Sequence, residues 1–324
     1  MSKIKIIHLT DLHFPDPINA VSVDDKKKIL KAEDHVGFGT MDLFKRYLRE
    51  LSKIDDMKIC LLVTGDLTHQ GDVAGFQQAR EFLIECSEIL RIERSNVIIA
   101  PGNHDITRVS DSDGQWLSFL EATDDFCTPF NTSKYFQIPG ELIIFPFSSA
   151  VLRTDDLIST SIIGSDQINT LDEVMMGDIG PVRIAALHHH IVPVWGIEAT
   201  HYDTVLNAGL VIKELQRNGF SLVLHGHKHK QSVKFLQDME QVKSPVGMYI
   251  IGARSFGEKG GCFNEINITL NDEGLSYPEI NFKSYFFESG ELRESPPSID
   301  CSSRKIEDSK NIKVEINFGL SRQV

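Results

Sequence analysis

Histidines, carboxylates and one asparagine fall in five short polar blocks of this 324-residue chain, each directly behind an apolar run. Asp11 and His13 stand in D-x-H, and alternation along an extended backbone puts both side chains on one side, where two ligands can reach one ion. Asp66 follows Gly65 in TGDLTHQGD. Gly102-Asn103-His104-Asp105 combines a neutral oxygen, an imidazole and a carboxylate on one turn. His188-His189-His190 and His225-Gly226-His227-Lys228-His229 hold six of the twelve histidines. Imidazoles two residues apart can converge on neighbouring ions, and Gly226 permits a close backbone approach. Taken singly, D-x-H, G-D and G-N-H-D also describe ordinary turns with a surface histidine or a helix cap. It is their recurrence behind successive strands that points to metal. Nitrogen and oxygen donors without cysteine suit Mn, Fe, Zn or Co and disfavour a structural thiolate zinc site.

The runs in front of these blocks are the elements that must position them. Lys3 to Leu9, Lys58 to Val63 (KICLLV), Asn96 to Ala100 (NVIIA), Arg183 to Leu187 (RIAAL) and Ser221 to Leu224 (SLVL) are continuous and apolar. They read as strands covered on both faces. Helices are predicted between them over Met41–Leu51, Val73–Leu90 and Thr204–Asn218, from apolar residues at helical spacing. Alternating strands and helices predict an α/β sandwich. In such folds ligands gather at the carboxyl ends of the strands, where the polar blocks stand.

Residues 15–40 are polar and too long for a routine connection, which suggests a loop or flap. After Gly261 the pattern changes to alternation, in NEINITL and in parts of Tyr277–Phe287, separated by Asn271-Asp272-Glu273-Gly274. These predict antiparallel strands. They are expected to complete a catalytic domain of residues 1–290, with strands in 261–290 as its last members. Residues 291–324 then form a linker, SPPSIDCSSRKIEDSKN, and a C-terminal strand over Ile312–Phe318, docked on this chain or on a second copy.

The charge sum of 33 basic and 46 acidic residues is −13, which argues against capture of an extended nucleic-acid duplex or an anionic membrane. It leaves room for a small anionic substrate, because a bound metal reverses the local field. Cys60, Cys86, Cys127, Cys262 and Cys301 are odd in number, scattered and without a C-x-x-C pair. Reduced thiols and a cytoplasmic location are therefore expected. The N-terminal MSKIKIIHLTDLHF lacks the pattern of a signal peptide, and no run approaches the roughly 20 apolar residues of a membrane helix.

In order, D-x-H, G-D, G-N-H-D, H and G-H-x-H resemble the calcineurin-like metallophosphoesterase superfamily, from Ile4 to about Ser255. The variants IHLTDLHF, GDLTHQGD, PGNHD, the histidine-rich block and HGHKH look most like the class III cyclic-nucleotide phosphodiesterase branch. The resemblance implies a four-layer α/β sandwich of two central β-sheets flanked by helices. It implies two divalent metal ions, one held by Asp11, His13 and His229, the other by Asn103, His188 and His227, with Asp66 bridging. His189 is the alternative to His188, and His225 and Asp105 are read as partners that orient ligands. The implied reaction is hydrolysis of a phosphodiester, such as a cyclic nucleotide, by a metal-activated hydroxide. His104 is the expected catalytic residue, stabilising the transition state or protonating the leaving oxygen; positioning of Asp66 or phosphate is its alternative role. Arg108 and Arg254 are candidate phosphate contacts or salt-bridge residues, and His69 lines the pocket or is a loop histidine. A nuclease or nucleotide phosphohydrolase is the alternative enzyme, and a non-catalytic partner-binding scaffold the alternative of another class. A homo-oligomer is left open.

Overall fold

Ile4 and Ile6 project from one face of β1 (Ser2–Leu9) and Ile7 and Leu9 from the other, and all four are buried. That two-sided burial repeats through the computed structural model and sets its layers. The structure describes residues 2–14, 38–69, 71–107, 114–131, 134–152, 159–175, 177, 180–193, 203–237, 247–258, 261–270, 278–288 and 291–294, and the backbone of 299–300, 313–315 and 317–318.

After β1 come β2 (Lys58–Thr64), β3 (Val97–Ala100), β4 (Phe136–Ile138), β5 (Leu142–Pro146), β6 (Ala150–Leu152) and β7 (Ser159–Ser161). Then follow β8 (Val182–Ala186), β9 (Leu222–His225), β10 (Ser232–Gln237), β11 (Gly247–Gly252), β12 (Cys262–Leu270), β13 (Glu279–Glu288) and β14 (Glu291–Glu294). One sheet has the order β14-β13-β12-β1-β2-β3, and the other β10-β11-β9-β8-β5-β4. β1, β2 and β3 run parallel, as do β5, β8, β9 and β11. The polar blocks therefore leave both sheets from carboxyl ends.

Ile4, Ile6 and Ile266 of the first sheet pack with Leu142, Ile144, Ile184, Leu222 and Leu224 of the second in the core between the sheets. Ile7, Leu9, Leu61 and Ile99 turn the other way, toward helices Phe38–Leu51 and Val73–Leu90. Ala185, Val223 and Ile250 turn toward helices Ser165–Val174 and Ala208–Arg217. The result is the expected four layers, helix, sheet, sheet and helix. Among the described residues no helix is long and apolar enough to cross a membrane.

Local chemistry explains where the elements begin and end. The helix Val73–Leu90 has Asp72 as N-cap, whose carboxylate accepts the Gly75 N–H at 2.8 Å, and it stops at Arg91 in the left-handed region. The helix expected over Thr204–Asn218 is shorter. Thr204 bridges to His190, and the Asn207 side chain bonds both the N–H and C=O of Ile163, so winding starts at Ala208. Phe38–Thr40 form the first turn of the helix expected from Met41, while the rest of the predicted loop, residues 15–37, lies outside the described residues.

β12 pairs antiparallel with β1 from Ser2 to His8, and β13 pairs with β12. β14 adds to β13, so the first sheet runs past residue 290. The backbone of Lys313–Glu315 lies parallel to Glu279–Asn281 of β13. The proposed linker falls mostly outside the described residues.

Candidate metal centre

The five loops behind β1, β2, β3, β8 and β9 are laced together by their backbones. Asp11 N–H donates to the Gly65 carbonyl at 3.0 Å, His13 N–H to Asp66 at 3.0 Å, and Gly226 N–H to His188 at 3.1 Å. Asp105 is buried, with Oδ2 accepting Gly102 N–H at 2.9 Å and Oδ1 accepting Thr68 N–H at 3.1 Å, so it ties the second loop to the third. Against the first loop, Ser255 Oγ donates to the Asp11 carbonyl at 2.8 Å and Phe256 N–H to Thr10 at 2.9 Å.

These loops bring the seven candidate ligands into one cluster. His229 Nε2 is 3.1 Å from Asp11 Oδ1, and the Nε2 atoms of His13 and His229 are 3.3 Å apart. His188 Nε2 lies 3.2 Å from Asp66 Oδ2, 3.1 Å from Asn103 Oδ1 and 3.2 Å from His227 Nδ1. Two sets have donor atoms within 4.8 Å of one another: Asp11, His13 and His229, and Asp11, Asp66 and His188. Asp11, expected with one ion, is thus common to both sets. His189 packs its ring 4.5 Å from that of His227 and turns Nδ1 to Ser149 Oγ at 2.9 Å.

The backbone here is unusual. Seven described non-glycine residues have positive φ, and five are Asp11, His13, Asp66, His227 and His229. Non-glycine residues in this region are uncommon and persist where surrounding contacts hold them. Glycines supply the remaining clearance. A Cβ on Gly102 would stand 2.1 Å from Asp66 Oδ1, and one on Gly226 1.8 Å from Thr10 Oγ1.

Charge follows geometry. Burial raises the Asp66 carboxyl, but His188 and His104 more than offset it and hold it well below the usual range. Asp11 is likewise lowered, burial being outweighed by the charge and hydrogen bond of His229. Burial lowers His188, yet Asp66 carries it up to about 9; burial lowers His229, yet Asp11 carries it up to about 10. His13 is lowered to about 4, chiefly by burial, and His227 is held well below its ordinary value, again by burial first. Two buried carboxylates thus gather positive charge on His188 and His229, the role divalent cations take when they displace those protons.

The residues fit such cations. His188 Nδ1–H donates to the Thr64 carbonyl at 2.8 Å, so a cation that displaces the Nε2 proton would meet a lone pair on the edge that faces Asp66 and Asn103. His13 Nδ1 and His227 Nε2 are buried with no hydrogen-bond partner. The donors are imidazole and carboxylate, and the candidate groups contain no cysteine among the described residues.

His104 joins the cluster through Asp66, whose Oδ1 accepts its backbone N–H at 2.9 Å. Its Nδ1–H donates to the His69 carbonyl, leaving Nε2 as the other polar edge of the ring. His69 lines this side, its ring stacked on His104 with centroids 5.6 Å apart. His225 is buried, and its ring packs 4.4 Å from His190; the expected bond to a candidate ligand is not among the described contacts. Arg254 is exposed, with no described hydrogen bond or ion pair to the candidate ligands, and Arg108 lies outside the described residues.

Sequence reasoning missed Glu258. Its carboxylate accepts a hydrogen bond from His229 Nδ1, on the ring edge away from Asp11. A carboxylate so placed orients a ligand imidazole and raises its basicity. No motif links Glu258 to a histidine 29 residues away, and only the fold brings the two together.

Comparison with known proteins agrees with this architecture. An uncharacterized metallophosphoesterase-like protein of Bacillus subtilis, YydB, is 31% identical over 106 residues, which are 33% of this chain and 18% of that protein. The match spans less than a fifth of that relative's length. A dimetal phosphatase from Danio rerio has a similar fold, with a TM-score of 0.53 and 12% identity over 98% of this chain and 99% of that one. So has a 5'-nucleotidase from Candida albicans, with a TM-score of 0.50 and 13% identity over 89% of this chain and 52% of that one. The family model described as calcineurin-like phosphoesterase matches residues 4–231. That span includes all five polar blocks, and the chain belongs to the calcineurin-like phosphoesterase family.

Proposed function

We propose that the chain is a phosphodiesterase of this family that works with two divalent cations on a small phosphodiester, with cyclic nucleotides as the leading candidates. The observation that carries the reading is the convergence of buried Asp11 and Asp66 with His13, His188, His227, His229 and Asn103 at the carboxyl ends of two facing sheets. When bound, two such cations polarise the phosphoryl oxygens and lower the pKa of an attacking water.

The chain's own groups do the rest. Asp11 and Asp66 offset the charge of the cations, and Asn103 adds a neutral oxygen. Hydrogen bonds from Thr10 Oγ1 at 2.6 Å and His227 N–H at 3.1 Å hold Asp11 Oδ2 in place. His104, anchored through Nδ1, presents Nε2 to the leaving oxygen and, when both ring nitrogens carry protons, gives it one, help typically worth about 10²–10⁴-fold in rate. The acidic chain suits a small substrate drawn in by the ions rather than a long duplex. The similarity of HLTDLHF, GDLTHQGD and HGHKH to the cyclic-nucleotide branch supports the diester preference.

The test is metal analysis together with turnover of bis(p-nitrophenyl) phosphate, p-nitrophenyl phosphate, nucleoside monophosphates and cyclic nucleotides. Two ions per chain are expected, with diester turnover abolished by chelation or by Asp66→Asn. Full activity in chelated protein, or in Asp66→Asn retaining both ions, overturns the reading. Faster turnover of monoesters moves it to the phosphatase or nucleotidase reactions named for the Danio rerio and Candida albicans proteins.

A further inference from the structure

One imidazole beside the cluster stands outside the set assigned to the ion pair. His69, three residues past Asp66, brings a nitrogen within 4.8 Å of nitrogens of His13 and His104. The His13 ring meets His104 edge-on at 5.3 Å and His69 at 6.0 Å. The loops that carry them are fixed to one another. His69 N–H donates to the Phe14 carbonyl at 2.8 Å, and Thr68 Oγ1 donates to the His104 carbonyl at 2.9 Å. The bond from His104 Nδ1–H to the His69 carbonyl selects the tautomer whose Nε2 carries a lone pair. His13 is almost wholly buried, with an Nδ1 that has no hydrogen-bond partner. His69 and His104 are half-buried, so an ion from solvent can reach them.

We propose that His69 and His104 form a further and weaker site for a zinc-like divalent cation, with His13 as third ligand through the nitrogen not used for the first ion once that nitrogen has given its proton to solvent, and that filling the site switches the enzyme off. The switching half rests on the role given above to His104, because an Nε2 that coordinates a cation has no proton to give. The donor set argues for the class of ion. It is three imidazoles without a carboxylate, which suits Zn, Cu or Ni and leaves Mg and Mn poorly held. Both groups assigned to the ion pair contain carboxylate. The weaker affinity follows from charge, since Asp11 and Asp66 already serve the pair and a further dication nearby meets repulsion. Zinc then activates at low concentration and inhibits in excess, whereas excess manganese does not inhibit.

The experiment uses the full chain loaded with two zinc ions. Equilibrium dialysis against rising zinc is expected to show two tight ions and a third, weaker one, with diester turnover falling as the third binds. His69→Gln should keep both tight ions while losing the third, and its turnover, whatever its starting level, should no longer fall as zinc rises through the wild-type inhibitory range. Its half-inhibiting zinc concentration should rise by at least the roughly 10–100-fold that follows loss of a mere ligand-orienting partner. NMR of the wild-type imidazole nitrogens gives a readout that does not depend on turnover or on the variant folding: the third ion must shift the His69 and His104 signals. A third ion that survives His69→Gln, unmoved His69 signals, or equal inhibition by manganese overturns the proposal. Failure of the ion-pair reading looks different. Asp66→Asn would then leave the tight ions in place, whatever happens to the ion that depends on His69.

Discussion

Adding one methyl group at Gly226 should damage the centre without touching a ligand. A Cβ there would stand 1.8 Å from Thr10 Oγ1 and 2.6 Å from Asp11 Oδ2. The first gap is at least about 1.6 Å short of ordinary contact. Thr10 is fully buried and cannot swing into solvent, and its hydroxyl is the group that donates to Asp11 Oδ2 at 2.6 Å. Gly226→Ala must therefore break that bond or push the HGHKH loop away from Asp11. Overpacking costs about 1–3 kcal/mol and a buried polar group stripped of its partner about 1–3 more, so a loss of about 2–6 kcal/mol is expected in chelated protein. A shift of about 1 Å in ligand positions should also cost on the order of 100-fold in turnover. Urea unfolding of chelated protein and diester kinetics at saturating metal measure the two effects separately. Gly209→Ala is the control, since its Cβ meets nothing within 4 Å. It lies in the helix Ala208–Arg217, where alanine is favoured by roughly 0.5–1 kcal/mol. A Gly226→Ala protein as stable and active as wild type would refute the argument that close approach fixes this glycine.

Three further outcomes are expected. His104→Ala should lose about 10²–10⁴-fold in rate with both ions retained; metal loss as deep as in Asp66→Asn would make His104 a structural member of the centre instead. Glu258→Gln keeps the shape but loses the charge that faces His229 Nδ1, so one of the two ions should bind about 10–100-fold more weakly in a chelator competition, and unchanged affinity for both would dismiss the orienting role. Burial raises the Glu265 carboxyl, but bonds from Lys5, Tyr47 and Asn267 hold it below its ordinary 4.5. Its stabilisation is therefore present above pH 4.5 and is lost as pH falls through the lower folded value, so acid unfolding curves of Glu265→Gln should be flatter in that window, while identical curves would count against the pairing.

What could be read from the sequence divides along a physical line. The five strands ahead of the polar blocks were visible because both of their faces are buried, which writes a continuous apolar run, and because a polar block marks where each one ends; β5, equally buried, has no such marker and was not read. Val73–Leu90 was visible because its stripe of Phe76, Ala79, Leu83 and Cys86 has a helical period. The ligand blocks were visible because metal chemistry needs residue types that rarely cluster otherwise. β10 was missed because Ser232–Gln237 is a half-exposed edge strand whose polar and apolar residues give no clear signal. The short β4, β6 and β7 fall below any useful window. The choice of His188 over His189 rested on its place directly after the strand, and the structure aims His188 at Asp66 and Asn103 and His189 at Ser149. Contacts such as Glu258 with His229 or Ser255 with Asp11 join residues far apart in the chain, and no local pattern announces them.

The left-handed turns at Asp11, His13, Asp66, His227 and His229 set two demands against each other. The backbone at each of these positions is best served by glycine, and the chemistry by an imidazole or a carboxylate. A variant that satisfies the backbone destroys the centre, and one that keeps the centre retains the strain. Simple selection for thermal stability in chelated protein should therefore drift toward glycine or asparagine at these very positions and yield sturdier, inactive chains. Stabilising this fold while keeping its activity requires selection with the metal present, so that the ions hold the turns that the sequence alone disfavours.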